Sequence, residues 1–190
     1  MSENDEDDIR LAPFNPTSDQ VQDIILRHMN LKATDILFDL GCGDGRLLIN
    51  AAQRVEGLRC VGIEMDRKFV NRAKNVIKNL PVSVRNRIEI REGDVAALAE
   101  SASREAFYAD EIGSLCRNLT LFDATAVYIF LLPKGILKLK KNLDRLLTKC
   151  KEEQRSLQVV TYLFQIHDWE PTFLDRNTKS GSPMYIYRFN

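Results

Sequence analysis

The sequence predicts an α/β protein built on a doubly wound, mostly parallel sheet with helices on both faces. Two observations predict it. Strand-like apolar runs alternate with segments of helical periodicity from residue 18 onward, and such alternation implies crossover connections and parallel pairing. The first strand-like run ends in a glycine-rich turn, Gly41-Cys42-Gly43-Asp44-Gly45, that leads directly into a helical pattern. Size adds a bound: 190 residues suffice for one ordinary core and are short for two full domains.

The elements follow in order. Thr17 or Ser18 can cap a helix over 18–30, with Val21, Ile24, Ile25 and Met29 on one face and His28 beside them as a surface or packing residue. Residues 35–40 form a short buried strand stopped by Gly41. Residues 46–54 read as a helix, 58–64 as a strand, and 67–79 as a helix ended by Pro81. Residues 87–91 alternate like a strand. The Ala-rich stretch 96–117 reads as one or two helices. Residues 124–131 form the most apolar strand, 134–151 a helix, 157–166 a strand and 184–189 the last strand. The polar loop 176–183 suits a hairpin-like return, so the last strand is expected to be antiparallel at or near an edge. Together these make six strands of a mostly parallel sheet.

Lys+Arg and Asp+Glu number 27 each, so the formal net charge is zero. The balance is uneven. Residues 1–8 hold Glu3, Asp5, Glu6, Asp7 and Asp8 and no base, which leaves the rest mildly basic. Residues 1–11 are expected to be an acidic disordered tail, and 12–190 a single domain. Between 134 and 155, eight cations face three acids. A solvated helix face explains this, and an acidic partner is the sharper alternative. At 44% hydrophobic and 28% charged, the chain has a globular composition. No apolar run approaches the roughly 18–20 residues of a membrane span, and no secretory or transit signal is visible. Cys42, Cys60, Cys116 and Cys150 are widely spaced with no C-x-x-C, so no zinc site is expected. Reduced thiols in a cytoplasmic or nuclear compartment are.

The stretch 35–66 carries the chemistry. Asp39 lies near the end of the first strand, three glycines and Asp44 follow, and Glu64 ends the next strand about 20 residues on. Glycine lets a ligand approach the backbone without a Cβ in the way. A carboxylate at Glu64 can accept two hydrogen bonds from a ribose diol. To this point any nucleotide-type cofactor fits. The dinucleotide fingerprint G-x-G-x-x-G is absent, no G-K-[ST] follows, and two carboxylates beside the turn would repel a pyrophosphate. They suit a cofactor carrying an ammonium and a sulfonium.

The run D-L-G-C-G-D-G-R, followed by G-I-E-M-D and by Gly93-Asp94-Val95, resembles the motifs of class I S-adenosylmethionine-dependent methyltransferases. Residues 13–17 (PFNPT), 128–133 (YIFLLP) and 159–171 (VVTYLFQIHDWEP) narrow the likeness. They resemble the small lysine methyltransferases that modify the mitochondrial ATP synthase c-subunit and the adenine nucleotide translocase. Two features differ from those enzymes: an acidic stretch stands where they carry a membrane or targeting segment, and 97–120 is longer than the link expected there.

The resemblance implies a Rossmann-like methyltransferase fold with a seven-strand sheet, S-adenosyl-L-methionine as cofactor and S-adenosyl-L-homocysteine as product. It implies cofactor contacts from Thr17, Asp39, Gly41, Cys42, Gly43, Asp44, Gly45, Glu64, Met65, Asp94 and Val95, with Asp94 facing the adenine amino group. Tyr128 and Phe130 would line the acceptor site, and no residue is assigned to a metal. N-methylation of protein lysine is expected, with methylation of RNA or a small molecule, or a non-catalytic cofactor-binding module, as the alternatives. The [ND]-P-P-[YFW] motif of base-amino methylation is absent, which lowers the nucleic-acid reading. Cys42 reads as a small residue tolerated in the turn. His167 and Asp168 suggest a general base, but the turn at Trp169 reads better as packing on the sheet edge.

Overall fold

The computed structural model describes residues 17–95, 115–178 and 181–190. The acidic tail and most of the helical stretch expected over 96–117 lie outside the described residues. In chain order the elements are α1 (Asp19–Met29), β1 (Ile36–Leu40), α2 (Arg46–Arg54), β2 (Arg59–Glu64), α3 (Arg67–Lys78), α4 (Val82–Arg85) and β3 (Ile88–Glu92). A short 3-10 turn (Leu121–Asp123) precedes β4 (Ala126–Ile129), α5 (Pro133–Glu152), β5 (Leu157–Tyr162), β6 (Phe173–Asp175) and β7 (Met184–Phe189). The seven strands form one sheet in the order β3-β2-β1-β4-β5-β7-β6. Strands β1 to β5 pair in parallel, while β7 runs antiparallel to both β5 and β6.

Side chains alternate across the sheet, and both faces are covered. Leu37, Cys60, Ile90, Tyr128 and Val160 pack in one apolar cluster with α1, α2 and α3. Phe38, Val61, Ile129 and Val159 pack in another with α5 and Trp169. Burial on both faces explains why β1 is buried along its whole length, with Asp39 the one polar residue among apolar ones. From β1 the sheet grows one way through β2 and the other way through β4. Connections reverse there, and the reversal opens a crevice at the carboxyl ends of those strands.

Several boundaries differ from the sequence reading. Strand β5 ends at Tyr162 rather than 166, because the backbone turns at Leu163, where φ is +71°. Strand β4 spans Ala126–Ile129, shorter than 124–131. Helix α4 and strand β6 are additional, and β6 places β7 one strand in from the edge. Ser18, not Thr17, caps α1, its hydroxyl accepting from the Val21 N–H. His28 has a defined partner, with Nε2 2.5 Å from Asp175 Oδ2 on β6. Trp169 packs edge-on against Tyr187 and Phe189 of β7, while His167 and Asp168 stand exposed and pair with each other. No helix among the described residues is long and apolar enough to cross a membrane.

Gly62 on β2 is required by packing. A Cβ there would lie 2.6 Å from Cys42 Sγ, 2.7 Å from Leu48 Cδ1 and 2.8 Å from Ile90 Cδ1. Gly62→Ala is expected to destabilise the fold by about 1–3 kcal/mol through overpacking, read as a lower midpoint in urea denaturation. An unchanged midpoint would show that the three neighbours move aside.

Candidate functional site

At the carboxyl ends of β1, β2 and β4 the crevice is a cavity of about 430 Å³. Its floor is the turn after β1. Gly41, Gly43 and Gly45 all have positive φ, which glycine adopts without a side-chain clash. The turn is sewn to β2: the N–H groups of Gly41 and Cys42 both donate to the Ile63 carbonyl, at 2.9 and 3.0 Å. Gly41 must also be bare, since a Cβ would meet Leu131 Cδ2 at 2.8 Å. Gly45 does not line the cavity. It caps α2, and a Cβ there would approach Ala73 and Ile90 at 3.2 and 3.4 Å, so its role is helix–sheet packing.

Three carboxylates lie around the turn in three different states. Glu64 is held by two backbone donors: Gly43 N–H donates to Oε2 and Asp66 N–H to Oε1, both at 2.9 Å. Asp44 is engaged by a two-pronged Arg46, whose Nε donates to Oδ1 at 2.9 Å and whose terminal nitrogen donates to Oδ2 at 2.7 Å. Those hydrogen bonds, ahead of any burial effect, hold its carboxyl below the usual range. Asp39 differs from both. It is buried on β1, and burial, followed by the charges of Glu64 and Asp44, pushes its carboxyl up to about 8. The sequence reading treated Asp39 and Asp44 as a matched pair of acids. The fold instead neutralises one with arginine and leaves the other beside carboxylates.

The opposite end of the cavity is apolar and aromatic, lined by Tyr128, Phe130, Leu131, Leu132, Leu163 and Phe164. Tyr128 is buried on β4, its hydroxyl hydrogen-bonded to Thr17 Oγ1 at 3.2 Å. Burial pushes that phenol up out of the titrating range. Thr17 is fixed in turn, because its carbonyl accepts from Gln22 Nε2 at 3.0 Å and Gln22 Oε1 accepts from Asn50 Nδ2 at 3.2 Å. The chain ahead of α1 is thus tied both to β4 and to α2 at the cavity rim.

Of the residues singled out by sequence, Thr17, Asp39, Gly41, Cys42, Gly43, Asp44, Glu64, Met65, Val95, Tyr128 and Phe130 line this one cavity. Gly45 and Asp94 do not, and Asp94 is exposed. The Cys42 thiol is buried, and burial pushes it well above its ordinary value, so it is no nucleophile. Sequence reasoning missed Arg46, Lys68, Phe69, Leu163 and Phe164, which also line the cavity. Arg46 had a readable signal, since it stands two residues after Asp44. Leu163 and Phe164 had none, because they continue an apolar run.

A parallel sheet reversing at β1, with an acidic glycine turn at the reversal, defines a nucleotide-type cofactor fold of the methyltransferase class. A family model described as a methyltransferase domain matches residues 31–145, and the chain belongs to that family. A protein-lysine N-methyltransferase of Saccharolobus islandicus (strain REY15A) is 30% identical over 161 residues, spanning 84% of this chain and 81% of the relative. A crystal structure of an RNA methyltransferase from Salinibacter ruber, in complex with S-adenosyl-L-homocysteine, superposes with a TM-score of 0.67 at 30% identity. That match covers 92% of this chain and 93% of the other. An uncharacterised RNA methyltransferase of Protochlamydia amoebophila is 31% identical over 102 residues, half of this chain and 22% of its own length. The chain is an S-adenosylmethionine-dependent methyltransferase.

Proposed function

We propose that the cavity holds S-adenosyl-L-methionine and that the enzyme methylates lysine side chains of proteins. Two observations support the fit to the cofactor. Asp39 is a buried carboxyl surrounded by like charge, so a cation beside it would favour its ionised form. The turn after β1 presents bare backbone to the cavity, since Gly41 and Gly43 line it without side chains. When bound, the cofactor supplies an electrophilic methyl group. In this reading Asp39 balances the ligand ammonium and Glu64 accepts from the ribose diol. The loop Gly41, Cys42, Gly43 and Asp44, with Thr17 opposite, encloses the amino-acid portion. Met65 and Val95 meet the adenine, and Tyr128 and Phe130 line the acceptor side.

The lysine acceptor rests on one observation, the apolar and aromatic character of the β4–β5 end of the cavity. An ammonium drawn into such surroundings loses hydration and gives up its proton more readily. A neutral amine can therefore form there without a dedicated base, and burial and orientation carry the rate. Aromatic faces also suit the aliphatic stem and the methylated product. The identity to the Saccharolobus islandicus enzyme supports the same reading. The test is tritiated-methyl transfer into fractionated cell extract, with mass spectrometry of the labelled fraction. Label on protein lysine is expected, and label confined to small molecules would overturn the reading.

A second reading, RNA methylation, is favoured by charge beside the cavity. Helix α3 carries Arg67, Lys68, Arg72, Lys74 and Lys78 and no acid, and α5 carries seven cations against Asp144 and Glu152. Both helices begin at the cavity, where Lys68 on α3 and Leu132 ahead of α5 line it. Contacts to phosphates weaken steeply with salt. RNA affinity indistinguishable from background at about 150 mM salt would remove this reading.

A further inference from the structure

We propose that Leu163 is a positioning residue for the methyl acceptor, held in a left-handed backbone conformation so that it and Phe164 close on the acceptor from the two faces of the sheet. The inference rests on the reading of the cavity as the methyl-transfer site. Among the described residues, four other than glycine have positive φ: Asn30, Gln154, Leu163 and Asp168. Asn30 is the C-cap of α1, and asparagine and aspartate tolerate this region because their side chains bond locally. Gln154 and Asp168 are exposed. Leu163 is the one of the four that lines the cavity. A turn that only ended β5 would be served best by glycine, yet a branched apolar side chain occupies it.

The conformation is locked from both sides. Leu163 N–H donates to the Pro183 carbonyl at 2.8 Å, immediately ahead of β7. Thr161, fully buried on β5, donates its hydroxyl to the Phe164 carbonyl at 2.6 Å. The lock separates two neighbouring side chains. Leu163 joins Phe130 against the apolar cluster under α1, α2 and α3, and Phe164 joins the cluster under α5. Both reach the cavity. The Phe130 ring is steadied edge-on by Tyr162, with centroids 5.0 Å apart. In an ordinary strand, consecutive side chains also alternate, but the chain would run on past the rim. The left-handed turn stops it there and leaves two apolar jaws at the cavity, one packed against each apolar cluster. Orientation of this kind acts on the rate of transfer rather than on the holding of the cofactor.

Leu163→Ala and Leu163→Gly separate side chain from backbone, since both remove the jaw and only glycine relieves the φ. The glycine variant is expected to melt roughly 2–4 °C above the alanine variant, the reverse of the order at an ordinary backbone position. Cofactor affinity by calorimetry should stay within about twofold of the parent in both, while kcat falls about tenfold or more. Leu163→Met, which keeps apolar bulk, should recover most of kcat. Transfer is measured on a pool of lysine-containing peptides and on total cellular RNA in parallel. Parent activity on RNA alone would overturn the lysine reading and still score the Leu163 variants on that acceptor. Unchanged kcat in both truncations, or cofactor affinity falling in step with kcat, would overturn the positioning role. An alanine variant more stable than the glycine variant would overturn the strained turn. A parent protein inactive on both acceptors would sink both readings.

Discussion

Replacing Asp39 by asparagine is expected to remove cofactor binding while making the empty protein more stable at alkaline pH. Both effects come from one carboxyl. Burial first, then Glu64 and Asp44, lift it to about 8 from the ordinary 3.8. In the unfolded chain the group ionises near 4, whereas in the folded protein it keeps its proton until about pH 8. The folded state therefore binds more protons through this window, and stability falls as pH rises across it and stays low above it. Asparagine cannot ionise, so its advantage is small at pH 5 and largest above pH 8. A gain of about 5 kcal/mol there, at about 1.4 kcal/mol for each pH unit between the two values, corresponds to a rise in melting temperature of roughly 10–20 °C. Binding moves the other way. A ligand cation needs the ionised carboxylate, so parent affinity should climb between pH 6 and 8 with release of a proton. The variant should lose about 100-fold, ~2.7 kcal/mol, and most of that pH dependence. Calorimetry in buffers of different ionisation enthalpy reads the proton directly. Unchanged affinity at pH 8.5 would place the cation elsewhere.

Glu64→Ala is expected to lose a similar factor in affinity, about 100-fold, but with the opposite effect on stability. This carboxylate accepts from Gly43 N–H and Asp66 N–H and so joins the β1 turn to the start of α3. Alanine leaves two backbone donors at the cavity wall with only water as partner. The cost is about 1–3 kcal/mol, or a fall in melting temperature of several degrees at neutral pH. The two acids are alike in a sequence motif and unlike in the fold, one strained by its surroundings and the other supporting them. A Glu64→Ala protein that bound cofactor normally would show that the carboxylate serves the turn alone.

The sheet and the glycine turn were legible because each had a local cause. Buried strands produce mostly apolar runs, as in β1, and a turn with three positive-φ positions favours glycine at each. What escaped depended on distant partners. Strand β6 is three residues long with Phe173 and Leu174 exposed, so it has no burial pattern, and it exists because β7 lies beside it. Strand β5 ends at Tyr162 inside an apolar run, and the lock that ends it reaches across to Pro183. The acids around the turn could be named from sequence. Their division into one paired with Arg46 and one left without such a pair follows from which way each side chain leaves the backbone, and that is set by the sheet.

The placement of β7 also ties this side of the sheet together. Strand β6 precedes β7 in the chain and pairs within the sheet with β7, and β7 pairs in turn with β5. Pairing Leu157 with Phe189 closes a long stretch of chain, the kind of contact that slows folding. The same docking brings the Pro183 carbonyl to Leu163. The Leu163 side of the cavity therefore takes its shape only once β7 has paired with β5.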